Sequence, residues 1–187
     1  MYAGEELGLP EVLDLPDEAR QDPIFARTAG LEIGRDGCRV PLPWTDDAGT
    51  SFGFSPHGKT DPWLPQPKEW QRWNVASEQT DPSSMLALYR RTLAIRRATP
   101  DLTSAGFELL LPDDPDLVVY RRGDVVVVLN MSDHERHLPA GLVAGLRVLV
   151  SSVPKDASVV RRGPDRSTPD EPDNHSVPPD AAVWLGR

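Results

Sequence analysis

The chain has 187 residues, of which 39% are hydrophobic and 6% aromatic, and its formal net charge is −9. Because nucleic acids and anionic membranes are bound through basic surfaces, neither is an expected partner of so acidic a chain. No apolar run reaches the ~18 residues that span a membrane, and the single Cys38 excludes an internal disulfide and favours a reducing, cytoplasmic compartment.

The chain opens with the turn-like segment MYAGEELGLPE. Its glycines and proline are typical of the loop after a buried strand, yet no strand precedes them in this sequence. We therefore expect this sequence to be the later part of a longer protein, with Met1 an internal, cloned or misassigned start.

Glu5 and Glu6 are neighbours in this segment. The side chains of adjacent residues point apart, whereas glycosidases hold two carboxyl groups ~5–9.5 Å apart across the bond they cleave. Glu5 and Glu6 are therefore expected to be one buried and one solvated side chain rather than an acid/base pair.

The stretch GRDGCRVPLPW, residues 34–44, combines charge with a constrained backbone. Its glycines permit tight turns, and its prolines stiffen the exit of the loop. Arg35, Asp36 and Arg39 bring charge into it, and the planar donors of arginine suit vicinal hydroxyls or a carboxylate. Two interpretations stay open: the loop grips a sugar, or an internal Arg–Asp salt bridge merely folds it.

Residues 1–80 are otherwise mostly loop, and loops of this length are usually functional or lie over a larger scaffold. Three tryptophans, Trp63, Trp70 and Trp73, fall in the segment DPWLPQPKEWQRW. Flat aromatic faces stack on sugar rings, but they also pack beneath loops. Packing is the favoured interpretation for each of the three.

One clear helix is predicted over residues 82–98, in DPSSMLALYRRTLAIRRATP. Asp81 is the expected N-cap, Pro82 suits the first helical position, and Pro100 ends the helix. Its apolar stripe of Met85, Leu88, Tyr89 and Leu93 needs a partner surface.

After residue 104 the pattern changes to short aliphatic strands: FELLL, LVVYRR, VVVVLNMS, LRVLVSS and finally AAVWL. Close spacing without intervening helices predicts a small antiparallel sandwich. Residues 163–180 are interpreted as a surface loop or a poorly ordered hairpin.

The acidic turn of Asp113, Asp114 and Asp116 is expected to be solvated. His134 and His137 are expected to lie in a solvated turn between two strands rather than to bind a metal ion.

These motifs together resemble a known family. YAGEELGLPE resembles the Tyr-x-Gly-Glu-Glu-x-Gly segment after the eighth barrel strand in α-glucosidases of the α-amylase superfamily, glycoside hydrolase family 13. GRDGCRVPLPW is similar to the Gly-Arg-Asp-Gly-x-Arg-x-Pro-x-x-Trp loop of the oligo-1,6-glucosidase branch. Ala3, Val40 and Leu42 are mild departures from the commoner Gln, Thr and Met.

The resemblance implies an α+β fragment. Residues 1–103 would be the last loop and helix of a (β/α)8 barrel, and residues 104–187 an antiparallel β-sandwich C-terminal domain. Arg39 would hold the outer hydroxyls of the glucose in the −1 pocket, with Arg35 and Asp36 nearer the +1 side. No cofactor or metal is implied.

In the family the nucleophilic Asp, the acid/base Glu and the stabilising Asp all precede this segment. The resemblance thus implies the C-terminal portion of a retaining α-glucosidase acting on oligosaccharides or disaccharides, with no catalytic residue in this chain and no activity when it is alone. Preference between α-1,4 and α-1,6 linkages, and between hydrolysis and transglucosylation, stays open. So do two rivals, a free-standing carbohydrate-binding β-sandwich module and a gene fragment without function.

Overall fold

The computed structural model describes residues 2–55, 61–104, 106–153 and 176–187. The chain divides into two compact units, Met1–Arg90 and Arg91–Arg187. The dividing point falls inside a helix, whereas the domain boundary expected between residues 103 and 104 stays a prediction.

The Met1–Arg90 unit consists of loops and short helices, and its described residues contain no strand. Its α-helices are α1 (Pro23–Arg27), α2 (Val75–Thr80) and the first part of α3 (Met85–Ala98). Single turns of 3-10 helix lie between them, at Glu5–Leu7, Asp17–Ala19, Asp36–Cys38, Ala48–Thr50 and Lys68–Arg72. The loop character predicted for residues 1–80 thus reflects many tight turns rather than absence of order.

A compact apolar cluster holds these turns together. Its buried members come from widely separated loops: Val12, Leu15, Val40, Phe52, Leu64 and Trp70. Backbone hydrogen bonds add to it, since the N–H of Val12 donates to Gly37 O at 3.0 Å and that of Trp44 to Phe52 O at 2.7 Å. The segment around Gly37 is therefore hydrogen-bonded to the N-terminal loop through Val12, and three residues later Val40 joins the apolar cluster.

The helix predicted from Pro82 begins three residues later, at Met85. Asp81 does not cap it, because its carboxylate accepts from the N–H and hydroxyl of Ser83, at 2.8 and 2.6 Å. The capping oxygen is instead Ser84 Oγ, which accepts from Ala87 N–H at 3.1 Å. The helix α2 just before it was not predicted, because six residues are too few to show a helical period.

The apolar stripe of α3 has no buried member. Met85 and Leu93 are 41% and 42% exposed, and Leu88 and Tyr89 are half-buried. This agrees with the expectation that the stripe needs a further surface.

The Arg91–Arg187 unit is built on antiparallel strands. Five form one sheet in the order β1-β2-β3-β7-β5, and β4 pairs with β6. In chain order the strands are β1 (Glu108–Leu109), β2 (Leu117–Arg122), β3 (Val125–Asn130), β4 (Arg136–His137), β5 (Arg147–Ser151), β6 (Ser176–Val177) and β7 (Ala181–Gly186), with short helices α4 (Asp101–Ser104) and α5 (Ala140–Val143). Each of the five predicted strand segments contains one strand of the larger sheet.

Apolar clusters cover both faces of the central strand β3. Val126 and Val128 face the larger cluster, which includes Val143 of α5 and Val177 of β6. Alternate residues of β3 face a second cluster around Leu102 of α4. A strand buried on both faces explains the unbroken valine run in the sequence. The sandwich expected from the sequence stays a prediction.

The acidic turn before β2 is only partly solvated. Arg136 donates to Asp114 and to Asp116, both at 2.7 Å. Asp114 also accepts from the N–H groups of Asp116 and Leu117, and these contacts, chiefly that with Asp116, lower the pKa of its carboxyl. The expectation of solvation was wrong for Asp114, whose side chain is 20% exposed, because its partner Arg136 lies on β4, a strand too short to be read from the sequence. The side chain of Asp116 is 40% exposed.

A buried amide joins β3 to the segment around β6. Asn130 is 2% exposed, and its Nδ2 donates to the carbonyl oxygens of His134, Val177 and Pro178. Its Oδ1 accepts from the N–H and hydroxyl of Ser132. Residues 163–180 were interpreted as a surface loop or a poorly ordered hairpin. Of these, residues 163–175 lie outside the described residues, and Ser176–Val177 form β6. Within the described chain, no helix has the length and apolar character needed to cross a membrane.

Candidate functional site

The backbone of the 34–44 loop requires two of its glycines. Gly34 has φ +71°, and a Cβ there would lie 2.7 Å from the Cβ of Asp22. Gly37 is buried, and a Cβ on it would overlap the carbonyl oxygen of Val12. The spacing of glycines in this motif is therefore set by close approach to neighbouring backbone and to Asp22.

Asp22 is the acidic partner of both arginines of the loop. Its carboxylate lies 3.3 Å from Arg39 Nη1 and 3.5 Å from Arg35 Nε. It also accepts from the backbone N–H of Arg35 at 3.2 Å and, as the N-cap of α1, from that of Ile24 at 3.1 Å. The side chain is 7% exposed. One buried carboxylate thus caps the start of α1 and pairs with both guanidinium groups.

The same contacts set the charge of Asp22. The N–H groups of Ile24 and Arg35, in that order, lower the pKa of its carboxyl, and the charges of the two arginines add to this against the opposing effect of burial. A lowered pKa keeps the carboxylate ionised throughout the neutral range. The electrostatic hold on Arg35 and Arg39 is therefore lost only in acid, as the pH falls through that lowered value.

Asp36, which the resemblance implies near the +1 side of the sugar site, has a buried side chain that contacts backbone. It is 3% exposed, and its Oδ2 accepts from the N–H groups of Gln21 and Asp22 at 2.7 and 2.9 Å. It thereby holds the segment that carries Asp22. The loop arginines do pair with an aspartate, but it is Asp22, outside the loop, and not Asp36 within it.

The two arginines keep donors for a ligand. The side chain of Arg35 is 72% exposed and that of Arg39 38% exposed. The contact of Arg39 with Asp22 uses Nη1, and a guanidinium carries five N–H donors. The loop therefore combines fixed placement with unused hydrogen-bonding capacity, as far as the described residues show.

The three tryptophans divide between packing and exposure. Trp70 is 3% exposed in the apolar cluster, and Trp73 is half-buried with Arg72 stacked 4.2 Å from its ring centre. Trp63 is 52% exposed, and its Nε1 donates to the carbonyl oxygen of Arg39 at 3.3 Å. Packing thus accounts for Trp70 and, in part, Trp73, while Trp63 lies at the surface beside the loop.

The carboxylates of the N-terminal segment are not arranged as a catalytic couple. Glu5 is exposed, and half-buried Glu6 accepts from the N–H of Gly4 at 2.9 Å. Glu78, 7% exposed, accepts from Leu86 N–H at 3.0 Å, and burial raises its pKa, helped by the charges of Asp81 and Glu6. Within the described chain, no group of three His, Cys, Asp or Glu side chains could hold a metal ion.

The sequence motif predicts Arg35 and Arg39 as site residues, but it does not indicate their partner Asp22. The pair Asp22–Pro23 is a helix-start signal, with an N-cap followed by proline at the first position. That signal predicts α1 but carries no information on contacts with residues 13 and 17 positions later.

Comparison with known proteins identifies the family of the chain. Residues 1–105 match the family described as alpha amylase, catalytic domain. The chain is 32% identical over 139 residues to the probable oligo-1,6-glucosidase 2 of Bacillus subtilis, a match that covers 65% of this chain and 24% of that protein. It is 39% identical over 110 residues to a probable alpha-glucosidase of Rhizobium meliloti, covering 59% of this chain and 19% of that one.

The fold is similar as well. The crystal structure of the alpha-glucosyl transfer enzyme XgtA superposes on the whole chain with a TM-score of 0.73 and 27% identity, and 32% of that enzyme is covered. The chain thus spans between a fifth and a third of the length of these proteins.

Proposed function

The chain belongs to the α-amylase superfamily of glycoside hydrolases, and on that premise we propose that it is the C-terminal portion of a retaining α-glucosidase. The whole protein would hydrolyse terminal α-linked glucose from oligosaccharides or disaccharides in the cytoplasm. The Arg91–Arg187 unit would be its C-terminal β-sandwich domain. Resemblance to oligo-1,6-glucosidases and α-glucosidases supports this, without choosing between α-1,4 and α-1,6 linkages.

The observation that carries the proposal is the loop of residues 34–44, with its guanidinium groups held by one buried carboxylate. Arg39 would donate to the outer hydroxyls of the glucose that is cleaved, and Arg35 would reach the neighbouring sugar. Asp22 would set the direction of both. Asp36, placed nearer the +1 side by the resemblance, would act through the backbone it holds, since its side chain is buried against Gln21 and Asp22.

The chemistry itself would need carboxylates supplied by the rest of the protein. Retaining glycosidases use a nucleophile and a separate acid/base ~5–5.5 Å apart. In the Met1–Arg90 unit the buried carboxylates Asp22, Asp36 and Glu78 each accept hydrogen bonds from backbone N–H groups. Side chains engaged in this way are poorly placed to attack a sugar.

We predict that the 187-residue chain alone hydrolyses no α-glucoside, because the buried carboxylates among its described residues, Asp22, Asp36 and Glu78, are engaged with backbone N–H groups. A chimaera in which it replaces the matching stretch of the Bacillus subtilis relative is expected to hydrolyse p-nitrophenyl α-glucoside and isomaltose. Initial rates for the chain, the chimaera and a mock preparation are the measurement. Turnover by the isolated chain above the mock rate would contradict the assignment of catalysis to another part of the protein, and a well-folded but inactive chimaera would contradict the proposed function.

A further inference from the structure

Beside the arginine loop lies an exposed aromatic pair, Trp63 and Phe54. Trp63 is 52% and Phe54 37% exposed. Their ring centres are 5.3 Å apart and their planes are at 79°, an edge-to-face contact. Such contacts fix the mutual orientation of two rings. Large aromatic side chains are costly to leave in water, so this pair calls for an explanation that the buried Trp70 does not.

Trp63 is held in place by polar contacts at its edge and backbone. Its Nε1 donates to Arg39 O at 3.3 Å, and its own carbonyl oxygen accepts from Gln21 Nε2 at 2.8 Å. Gln21 is also the residue whose N–H donates to Asp36. The indole is therefore tied to the same residues that position the arginines, while its Nε1–H is already satisfied. What it offers to a ligand is its flat apolar face.

We propose that Trp63, supported by Phe54, is a stacking platform for a second sugar ring, next to the ring that the arginines bind. The ligand class is an α-linked disaccharide or longer oligosaccharide. Sugar rings present C–H faces that pack on an aromatic plane, while their hydroxyl edges suit guanidinium donors. This inference rests on the proposed function, because it presumes that the arginine loop binds the first ring.

The test uses the whole 187-residue chain labelled with 15N, titrated with glucose, maltose and isomaltose while the Nε1–H resonance of Trp63 is followed. We expect the disaccharides to shift this resonance saturably. Trp63→Ala should weaken disaccharide binding about tenfold and change glucose binding less than twofold. Trp63→Phe loses the bond to Arg39 O but keeps a flat face, and should stay within about threefold of the original chain. Phe107→Ala, an exposed aromatic of the other unit, should change nothing.

The outcomes separate the platform from the proposed function. Equal binding of glucose and disaccharides, lost in Arg39→Ala but not in Trp63→Ala, would overturn the platform and leave the arginine loop as a sugar site. A Trp63→Phe chain as weak as Trp63→Ala would also overturn it, since the role would then be that of the hydrogen bond to Arg39. Binding that needs Trp63 but not Arg39 would overturn the platform as proposed, since no first ring would then lie on the arginines, and would remove the loop from the proposed function. No shift with any sugar would overturn the platform, and hydrolysis by the chimaera would then leave the proposed function in place.

Discussion

Replacing Asn130 with aspartate is expected to destabilise the Arg91–Arg187 unit by about 3 kcal/mol or more. The amide nitrogen of Asn130 donates to three carbonyl oxygens, at 2.8, 3.1 and 2.8 Å, in a site where the side chain is 2% exposed. A carboxylate oxygen in its place would meet these oxygens without a proton to share, and burial would deny it water. The link between β3 and the segment around β6 would then become repulsive.

The Asn130→Asp loss should depend on pH in a defined direction. Burial beside carbonyl oxygens raises the pKa of the new carboxyl above its unfolded value, so the folded variant binds a proton more readily. Its stability relative to the original chain should therefore recover as the pH falls through that raised pKa, because the protonated group donates again.

Urea unfolding at pH 7 and pH 5, followed by circular dichroism, measures the Asn130→Asp effect. Met131→Ala, at a neighbouring position that is 57% exposed, is the control and should change the free energy of unfolding by less than about 0.5 kcal/mol. If Asn130→Asp also changed the free energy of unfolding by less than about 0.5 kcal/mol, the buried amide would not be what joins these segments.

Gly37→Ala is expected to destabilise the Met1–Arg90 unit markedly. The added Cβ would overlap the carbonyl oxygen of Val12 and lie 2.9 Å from Glu11 Cγ. Because backbone cannot rotate away as a side chain can, the two segments must separate and the hydrogen bond from Val12 N–H to Gly37 O must lengthen. Overpacking of this kind costs about 1–3 kcal/mol.

Thermal unfolding and sugar binding together test the Gly37 prediction. Gly49→Ala is the matched control, because its nearest neighbour is the flexible Asp47 side chain at 3.1 Å. We expect Gly37→Ala to lower both the Tm and the affinity for glucose, and Gly49→Ala to change neither appreciably. Wild-type binding in a destabilised Gly37→Ala chain would mean that the loop keeps its shape without this close approach.

Local pattern predicted the larger sheet well. The runs that became β2 and β3 are six residues each and flank a tight turn, and their hydrogen-bonded register from Leu117–Asn130 to Arg122–Val125 needs no distant partner. Periodicity carries such information directly. The pair β4 and β6 was missed because neither two-residue strand lies in a run of aliphatic residues, whereas the equally short β1 lies within FELLL.

The candidate site was predicted only in part, since its arginines belong to a recognisable motif but their partner does not. Asp22 acts through contacts across 13 and 17 positions, and Asp36 turns inward although it lies between two exposed arginines. Contact between distant loops depends on the apolar cluster beneath them, and no local pattern encodes it. The late start of α3 has a local cause, because Ser83 competes for the carboxylate of Asp81.

The central claim is that Arg39 binds the glucose that is cleaved, and kcat/KM of the Arg39→Ala chimaera tests it most directly. A hydrogen bond from a charged donor is worth about 1.5–3 kcal/mol, and ~1.4 kcal/mol is one decade in rate. We predict at least a tenfold fall in kcat/KM with isomaltose, with a Tm close to that of the parent, and no comparable fall in the control Arg72→Ala. A markedly lowered Tm with near-parental kcat/KM below that temperature would show that Arg39 only completes the ion pair with Asp22, and would contradict the claim.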